Sequence, residues 1–401
     1  MTSQKLIEIE NRYGAHNYHP LDVVLTRGKG IWVYDMEGNK YLDFLSAYSS
    51  VNQGHCHPRI VRAISNQAKK LCITSRAFRN DQLPLLCKEV CELTGMEMML
   101  PMNSGAEAVE TAVKLSRKWG YAVKGIKKER AEIIACAGNF HGRTTTVIGF
   151  STEPLYRKDF GPFTPGFKII PFGDAKALKK AIGKNTAAFL VEPIQAEGGV
   201  LIPNAGYLKE CRDICRENNV LLVTDEIQTG LGRTGKLLAC HYENVQPDIL
   251  ILGKALSGGF YPVSAIVSTQ NIMGLFKPGE HGSTFAGNPL ACAIAREALK
   301  VLVQEKLPEN AVKMGAFLME KLKTVKSKHI KEIRGKGLLV GVELYPEAGG
   351  ARRFCEALAK ERLLCKETHD NVIRFAPPLV ITRKDIEWAF VRIKSILEGM
   401  D

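Results

Sequence analysis

Short apolar runs without a polar face recur through the middle of the chain, separated by stretches with helical periodicity. The runs are AEIIACA (131–137), TAAFLVEP (186–193), NVLLVTDE (219–226), DILILG (248–253) and PVSAIVS (262–268). Strands that are apolar on both faces and alternate with helices, as over 205–218, are typical of a parallel sheet buried between helices. The link 254–261 is too short for a crossover helix, so 262–268 should run antiparallel to 248–253. The pattern predicts an α/β fold.

The pattern changes towards the end of the chain. A long amphipathic helix is expected over 288–306, followed by alternating strands and helices. Strand-like segments lie at 332–345 and 371–382, and a helical segment lies at 352–363. This arrangement predicts a smaller α+β unit beside the large α/β sheet.

The start of the chain has strand pairing of its own. The stretch GIWVYDMEGNKYLDF (30–44) reads as two strands joined by a turn at residues 37–39. We therefore expect residues 1–45 to contribute to a small domain, residues 46–290 to form a large domain, and residues 291–401 to complete the small one.

The composition of the 401-residue chain, 45% apolar and 24% charged, is that of an ordinary globular protein. No apolar run approaches the ~18 residues needed to cross a bilayer. The first residues, MTSQKLIEIENRYG, lack the layout of a signal peptide. We expect a cytoplasmic protein, with the mitochondrial matrix as the alternative if a transit peptide has been removed.

The net charge and the cysteine content bear on whether the chain binds nucleic acid or metal. The formal charge is +13, but the lysines are spread at helical intervals, without a basic tail or an aromatic-rich RNA motif, so solvated helix faces explain them. The 11 cysteines are too few and too scattered for a disulfide scaffold. No CxxC or HExxH motif accompanies them. Nucleic acid, membrane and metal are therefore not expected as partners.

Two of the predicted strands end next to residues of opposite charge, Asp225 and Lys254. Because ligands of α/β sheets bind beyond the carboxyl ends of the strands, parallel neighbours would place both side chains in one crevice. Singly, Asp225 is explained as a helix cap and Lys254 as a solvated lysine. Together they match pyridoxal phosphate chemistry, in which a lysine holds the cofactor covalently and a carboxylate keeps its pyridine nitrogen protonated. Burial should lower the pKa of Lys254 and make its amine a usable base.

A phosphate site is expected where MNSGAEAVETAVKLSRK (102–118) passes from Asn-Ser-Gly straight into a helix. Backbone N–H groups around Ser104, Gly105 and Ala106 would point at an anion, with the helix dipole behind them. An ordinary capped helix explains the same pattern. A second stretch offers two hydroxyls among glycines, those of Ser283 and Thr284.

Long motifs, in order along the chain, resemble the class III, or ω-, aminotransferases of PLP fold type I. They are TDEIQTGLGRTG (224–235), LGKALSGGFYPVSA (252–265) and GSTFAGNPL (282–290). Further stretches are similar to the ornithine δ-aminotransferases within that class, among them YGAHNYHPLDVVLTRGKG (13–30), LSAYSSVNQGHCHP (45–58), GNFHGRT (138–144) and IRFAPPLVI (373–381). The resemblance implies a mostly parallel seven-stranded sheet between helices, plus a smaller α+β domain built from both chain ends.

The resemblance also implies cofactor roles for the matching residues. Lys254 would bind pyridoxal phosphate covalently and move the substrate proton, while Asp225 would pair with the pyridinium. Gln228 would hydrogen-bond the phenolic oxygen, and Phe140 would stack on the ring. Gly105 and Ala106 would bind the phosphate through their backbone N–H groups, and the residue pattern adds Ser104 and Ser283 as phosphate contacts. Thr284 is similar to a threonine that reaches the phosphate from the neighbouring subunit, which requires a homodimer with shared sites and leaves larger assemblies open.

On the substrate side, the resemblance implies a pocket that accepts ornithine and then glutamate. Tyr18 would take the α-carboxylate of ornithine, and Tyr48 would shape the pocket for that substrate. Arg143 would bind the side-chain carboxylate of glutamate, and Arg374 an α-carboxylate. Glu197 would pair with Arg374 and cover it while ornithine is bound.

The implied activity is transfer of the δ-amino group of L-ornithine to 2-oxoglutarate by a ping-pong mechanism. L-glutamate and glutamate-5-semialdehyde, which cyclises to pyrroline-5-carboxylate, would be the products. Alternatives are an acetylornithine or 4-aminobutyrate aminotransferase of the same class, and a scaffold protein that has kept the fold without catalysis. Two positions depart from common family patterns: Ala196, where glycine is frequent, which would shift the loop carrying Glu197, and His141, where some members have tryptophan.

Overall fold

The computed structural model describes residues 2–401 as strands and helices in alternation. The strands are β1 (Leu25–Lys29), β2 (Trp32–Asp35), β3 (Lys40–Asp43), β4 (Met98–Met102), β5 (Glu132–Cys136), β6 (Phe167–Ile170), β7 (Thr186–Val191), β8 (Leu221–Asp225), β9 (Ile249–Leu252), β10 (Ser264–Ser268), β11 (Ile330–Lys336), β12 (Leu339–Leu344), β13 (Leu363–Leu364), β14 (Lys366–Thr368) and β15 (Val372–Phe375). The helices are α1 (Ser3–Tyr13), α2 (Ser46–Ser49), α3 (Pro58–Ala68), α4 (Leu83–Thr94), α5 (Gly105–Ala122), α6 (Thr145–Gly149), α7 (Pro154–Arg157), α8 (Ala175–Ala181), α9 (Tyr207–Glu217), α10 (Gln270–Met273), α11 (Pro289–Gln304), α12 (Leu307–Leu322), α13 (Arg352–Lys360) and α14 (Arg383–Gly399).

Seven strands form the central sheet, in the spatial order β4-β10-β9-β8-β7-β5-β6. Strand β10 is antiparallel to both β4 and β9, and the other neighbours are parallel. The five predicted strands and the antiparallel turn after 248–253 are therefore confirmed. The sequence patterns did not indicate the edge strands β4 and β6.

Alternate side chains of the central strands pack on opposite faces of the sheet. Leu221 and Val223 belong to the apolar cluster that includes α5, whereas Leu222 belongs to the cluster that includes α11. Gly120 lets α5 approach closely, because a Cβ there would stand 2.9 Å from the Cβ of Ala187 in β7. Burial on both faces explains why these strands read as uninterrupted apolar runs.

Two four-stranded sheets stand apart from the central one, with the orders β1-β2-β3-β13 and β11-β12-β15-β14. The hairpin expected over 30–44 is present as β2 and β3, and Gly38 closes its turn with a 3.2 Å hydrogen bond to the carbonyl of Asp35. The first sheet combines both chain ends, since β3 pairs in parallel with β13. The domain limits at residues 45 and 290 stay predictions.

Within residues 2–401, no helix combines the length and the apolar character that a membrane span requires.

Candidate active site

Asp225 and Lys254 meet at the carboxyl edge of the central sheet. Strand β8 ends at Asp225, which is in register with Ile251 of the parallel strand β9, and Lys254 follows β9 after a single glycine. Both residues line a cavity of about 210 Å³ together with Gly105, Ala106 and Phe140. Lys254 has a left-handed backbone with φ of 45°, which is a strained conformation for lysine and of a kind that concentrates at functional sites.

The environment of Lys254 favours the neutral amine. Removal from water lowers the pKa of this lysine to about 8, and the carboxylates of Glu197 and Asp225 oppose the shift only in part. A lysine with this pKa is a usable proton acceptor near neutral pH, whereas an ordinary surface lysine stays charged. The expectation that burial lowers the pKa of Lys254 is therefore confirmed.

His141 holds Asp225 in place from behind. Its Nδ1 lies 2.7 Å from Oδ2 of Asp225, while Oδ1 accepts a 3.0 Å hydrogen bond from the backbone of Ile227. Burial alone would lower the pKa of His141, but the hydrogen bond and the charge of Asp225 outweigh it, so the net shift is upward. Each carboxylate oxygen keeps a lone pair for a further donor in the cavity.

Glu192 is a buried carboxyl group that the sequence analysis missed. It follows the last residue of β7, lines the same cavity and accepts a 3.1 Å hydrogen bond from the backbone of Phe140. Burial raises the pKa of Glu192 to about 8, although His141 lowers it. The signal was present in TAAFLVEP (186–193), which ends in an acidic residue as NVLLVTDE does.

The start of α5 combines an ordinary helix cap with free backbone donors. Ser104 and Glu107 form a complete capping box, so the hydroxyl of Ser104 is already engaged. Within residues 2–401, the N–H groups of Gly105 and Ala106 have no protein acceptor, and both residues line the cavity. Gly142 brings the Phe140 loop against this turn, since a Cβ there would meet that of Ala106 at 2.9 Å.

The two hydroxyls of the second predicted phosphate loop lie differently. Ser283 accepts a 2.8 Å hydrogen bond from the side chain of Asn103, one residue before the cap of α5. Thr284 is exposed, and among residues 2–401 its side chain has no hydrogen-bond partner. The structure thus brings Ser283 to the edge of the site but leaves Thr284 outside this chain's cavity.

A second cluster joins Glu197, Gln228 and Arg374 beside the cavity. Nη1 of Arg374 donates to Oε1 of Glu197 at 2.6 Å and to Oε1 of Gln228 at 3.2 Å. Gln228 also donates to Glu197 at 3.2 Å. Burial raises the pKa of Glu197, but the charges of Arg374 and Lys254 and the hydrogen bonds from Arg374 and Gln228 together outweigh it and lower that pKa to about 2. Arg374 is fully buried, and its Nε and Nη2 have no partner within residues 2–401, which leaves one guanidinium edge for a ligand.

The ring of Tyr48 faces the guanidinium of Arg374. The guanidinium carbon lies 5.0 Å from the centre of the tyrosine ring, a distance at which the ring attracts the cation. Tyr48 belongs to α2, which is a left-handed turn, because residues 46 to 49 all have φ between 45° and 71°. The structure therefore unites Tyr48, Glu197, Gln228 and Arg374, which the sequence treats as separate motifs.

Arg143 lies among aromatic rings. Its guanidinium carbon is 4.4 Å from the ring centre of Tyr156, 5.8 Å from that of Tyr18 and 5.9 Å from that of Phe140. Within residues 2–401 no carboxylate pairs with it. Tyr156 had no place in the sequence analysis, because no motif marks it.

Ala196, the departure next to Glu197, is accommodated in the core. Its side chain is fully buried in a small apolar cluster with Val200 and Leu339, and its backbone does not take a left-handed conformation. A glycine is thus not required there by backbone geometry. The shift of the loop that carries Glu197 stays a prediction.

The residues around the cavity fit pyridoxal phosphate. The free N–H groups of Gly105 and Ala106 suit a phosphate, the amine of Lys254 suits an aldehyde, and the carboxylate of Asp225 suits a protonated ring nitrogen. Phe140 also lines the cavity. No metal is needed for this set, and residues 2–401 contain no group of three or more His, Cys, Asp or Glu side chains placed to hold a metal ion.

The fold and the site define a class of enzyme. The family model for class-III aminotransferases matches residues 13–397, and the chain belongs to this family. Its members are pyridoxal phosphate-dependent transaminases, so the protein is an enzyme of this kind and the fold expected from the resemblance is confirmed.

Individual relatives resemble the chain over almost its whole length. An ornithine aminotransferase of Geobacillus sp. (strain WCH70) is 56% identical over 396 residues, 99% of each chain. The crystal structure of the ornithine aminotransferase from Toxoplasma gondii ME49 has a TM-score of 0.97 at 47% identity, covering 99% of this chain and 95% of that one. An acetylornithine aminotransferase from Elizabethkingia anophelis has a TM-score of 0.91 at 51% identity, covering 99% of each.

Proposed function

We propose that this chain transfers the δ-amino group of L-ornithine to 2-oxoglutarate. The products are L-glutamate and glutamate-5-semialdehyde, which cyclises to pyrroline-5-carboxylate. Full-length similarity to relatives named ornithine aminotransferase supports the proposal.

One observation carries the proposal: of two arginines near the cavity, one has its charge paired with a carboxylate and the other does not. Arg374 is paired with Glu197, whereas Arg143 contacts aromatic rings and has no carboxylate partner within residues 2–401. Glutamate and 2-oxoglutarate carry two carboxylates and need both cations. Ornithine carries one carboxylate, and its second amine is better accepted when Glu197 neutralises Arg374. A pocket in which Glu197 can either neutralise Arg374 or leave it free to bind a carboxylate can therefore accept both substrates.

The residues around the cavity supply the remaining chemistry. When bound, pyridoxal phosphate draws electrons from the carbon that carries the reacting amine and makes its proton acidic. Lys254, as a neutral amine, would accept this proton and later give it back. The carboxylate of Asp225, which His141 fixes, would accept a hydrogen bond from the protonated ring nitrogen, and the backbone N–H groups of Gly105 and Ala106 would donate to the phosphate.

An assay of several amine donors with 2-oxoglutarate tests the proposal. L-ornithine, N-acetylornithine and 4-aminobutyrate are compared, with pyrroline-5-carboxylate and glutamate as readouts. We expect the highest kcat/KM with L-ornithine and no turnover in Lys254→Ala. A higher kcat/KM with N-acetylornithine than with L-ornithine would identify the chain as an acetylornithine aminotransferase instead. No turnover of any donor by the holoenzyme would contradict the proposal.

We propose further that the working form is a homodimer with shared sites. The exposed side chain of Thr284, which lies outside its own chain's cavity, supports this arrangement. Its hydroxyl would complete the phosphate site of the second subunit. A cytoplasmic location likewise remains our prediction from the sequence.

A further inference from the structure

The environment of Arg143 is unusual for a residue that is to bind a carboxylate. Among residues 2–401 it has no ion-pair partner, and its nearest aromatic ring is that of Tyr156, at 4.4 Å. Tyr18 and Phe140 stand farther away, at 5.8 and 5.9 Å. Aromatic rings thus contact the guanidinium of Arg143, and no carboxylate neutralises its charge.

Tyr156 is anchored where it can act on Arg143. It lies in the short helix α7, and its ring meets that of Phe140 edge to face at 5.9 Å with an interplanar angle of 74°. It also lines a cavity of about 70 Å³ with Phe140, Glu197 and His369. Burial raises the pKa of Tyr156, while the charge of Arg143 and its hydrogen bond to the tyrosine hydroxyl lower it; the net shift is upward, so the hydroxyl stays neutral at physiological pH.

An aromatic face holds a guanidinium without using its hydrogen-bond donors. The N–H bonds lie in the plane of the group, while the ring acts electrostatically through its quadrupole. A carboxylate at the same place would occupy two donors and cancel the charge. An arginine held by a ring is therefore positioned and still fully charged, which is what recognition of an incoming carboxylate needs.

We propose that Tyr156 is a specificity-determining residue: it holds Arg143 ready for the carboxylate at the distal end of the substrate, the end away from the reacting carbon. The inference rests on the proposed function and deepens it. It predicts that the preference for 2-oxoglutarate over oxo acids without a distal carboxylate depends on the ring of Tyr156.

The test compares variants of the holoenzyme at this position. Tyr156→Leu removes the ring and should lower kcat/KM for 2-oxoglutarate about two- to fivefold, the effect expected for loss of a cation–π contact made by an exposed arginine. The kcat/KM for pyruvate, which has no distal carboxylate, should stay within about twofold. Tyr156→Phe keeps the ring and loses only the hydroxyl, so its kcat/KM for 2-oxoglutarate should stay above that of Tyr156→Leu. Tyr156→Glu adds a carboxylate and should lower kcat/KM for 2-oxoglutarate more than Tyr156→Leu does.

A matched control is available nearby. Arg157 lies over the ring of Phe163 at the same 4.4 Å, but its Nη1 already donates to backbone carbonyls such as that of Gly149. Phe163→Leu should therefore leave the ratio of kcat/KM for 2-oxoglutarate to that for pyruvate unchanged. Competitive inhibition by glutarate, a dicarboxylate that cannot react, gives a binding readout and should weaken in Tyr156→Leu only.

The outcomes separate the two proposals. A wild-type enzyme that forms no pyrroline-5-carboxylate from ornithine contradicts the proposed function. If the wild type is active but Tyr156→Leu or Tyr156→Glu keeps both the 2-oxoglutarate preference and the glutarate affinity, the inference about Tyr156 is wrong. Loss of activity towards pyruvate and 2-oxoglutarate alike would equally overturn it, because that result indicates a general structural role.

Discussion

At the scale of single residues, the pocket is organised by how each buried charge is compensated. Arg374 is fully buried and paired with Glu197, while one edge of its guanidinium has no partner within residues 2–401. Breaking a buried pair leaves an uncompensated charge, so it opens only when another anion takes the place of Glu197. In the proposed function, the second carboxylate of the oxo acid is that anion, and ornithine, with one carboxylate, has none to offer.

Glu197→Gln tests this exchange. The variant leaves Arg374 uncompensated, so we expect kcat/KM for L-ornithine to fall about tenfold or more. Since 2-oxoglutarate no longer has to displace a carboxylate, its kcat/KM should be kept or raised. Steady-state kinetics of each substrate measures the effect. Equal losses for both substrates would contradict the role assigned to the Glu197–Arg374 pair.

Glu192 leads to a prediction about pH and stability. Its pKa is raised to about 8 in the folded protein, so the folded chain binds a proton that the unfolded chain releases near pH 4.5. This group's contribution to stability is thus present at low pH and is lost as pH rises towards 8.

The variant Glu192→Gln removes the titration and can still accept the hydrogen bond from Phe140. We expect the difference in melting temperature, variant minus wild type, to be more positive at pH 8 than at pH 5 by about 2 °C or more in the cofactor-free protein. A difference that does not vary with pH would show that Glu192 is ionised throughout.

Sequence reasoning located two of the three site residues that stand at the ends of recognisable strands and missed the third, Glu192. Lys254 and Asp225 could be placed because strand ends of a parallel sheet share one edge. Tyr156, the tyrosine beside Arg143, could not be placed from the sequence. Its contact with Arg143 depends on how the chain folds between them, and no periodic pattern encodes that contact. Gln228 was expected at the cofactor, and its bonds to Glu197 and Arg374 join positions far apart in the chain.

At the scale of elements, the left-handed turn α2 has a strained backbone that places Tyr48 beside Arg374. Four successive non-glycine residues have positive φ, each at a cost of roughly 1–2 kcal/mol. Asp43 accepts 2.8 Å hydrogen bonds from the backbone of Leu45 and Ser46, and the hydroxyl of Ser46 donates to the carbonyl of Ala376 at 2.6 Å. These bonds fix Tyr48 beside Arg374, which precedes Ala376 by two residues.

Ala47→Gly measures the strain in this turn. Ala47 is exposed and has a φ of 45°, so glycine should stabilise the protein by about 0.5–1 kcal/mol or leave it unchanged. The matched control is Ala63→Gly in the right-handed helix α3, which should destabilise by about 1 kcal/mol. Denaturant unfolding reports both. A clear loss of stability in Ala47→Gly would contradict the account of α2.

The elements that escaped prediction share a physical reason. Strand β4 contains Pro101, which normally argues against a strand, but it lies at the edge of the sheet where a missing donor is tolerated. Strand β6 has four residues at the other edge and shows no distinct pattern. The five central strands were predictable because burial on both faces leaves an unbroken apolar run.

At the scale of the whole molecule, the shared-site proposal predicts complementation between inactive subunits. Lys254→Ala and Thr284→Arg should each abolish activity as homodimers. A heterodimer isolated with two affinity tags should recover about half of the wild-type activity, because one of its two sites combines an intact lysine with an intact threonine. An inactive heterodimer would place Thr284 in its own subunit's site, and an active Thr284→Arg homodimer would place it outside any site.

The most direct test of the central claim follows the transferred nitrogen. The wild-type enzyme is incubated with 2-oxoglutarate and L-ornithine labelled with ¹⁵N at the δ-amino group only, and the products are separated by mass. The account predicts ¹⁵N in L-glutamate and unlabelled pyrroline-5-carboxylate. Unlabelled glutamate, or label retained in the product of ornithine, would contradict transfer of the δ-amino group.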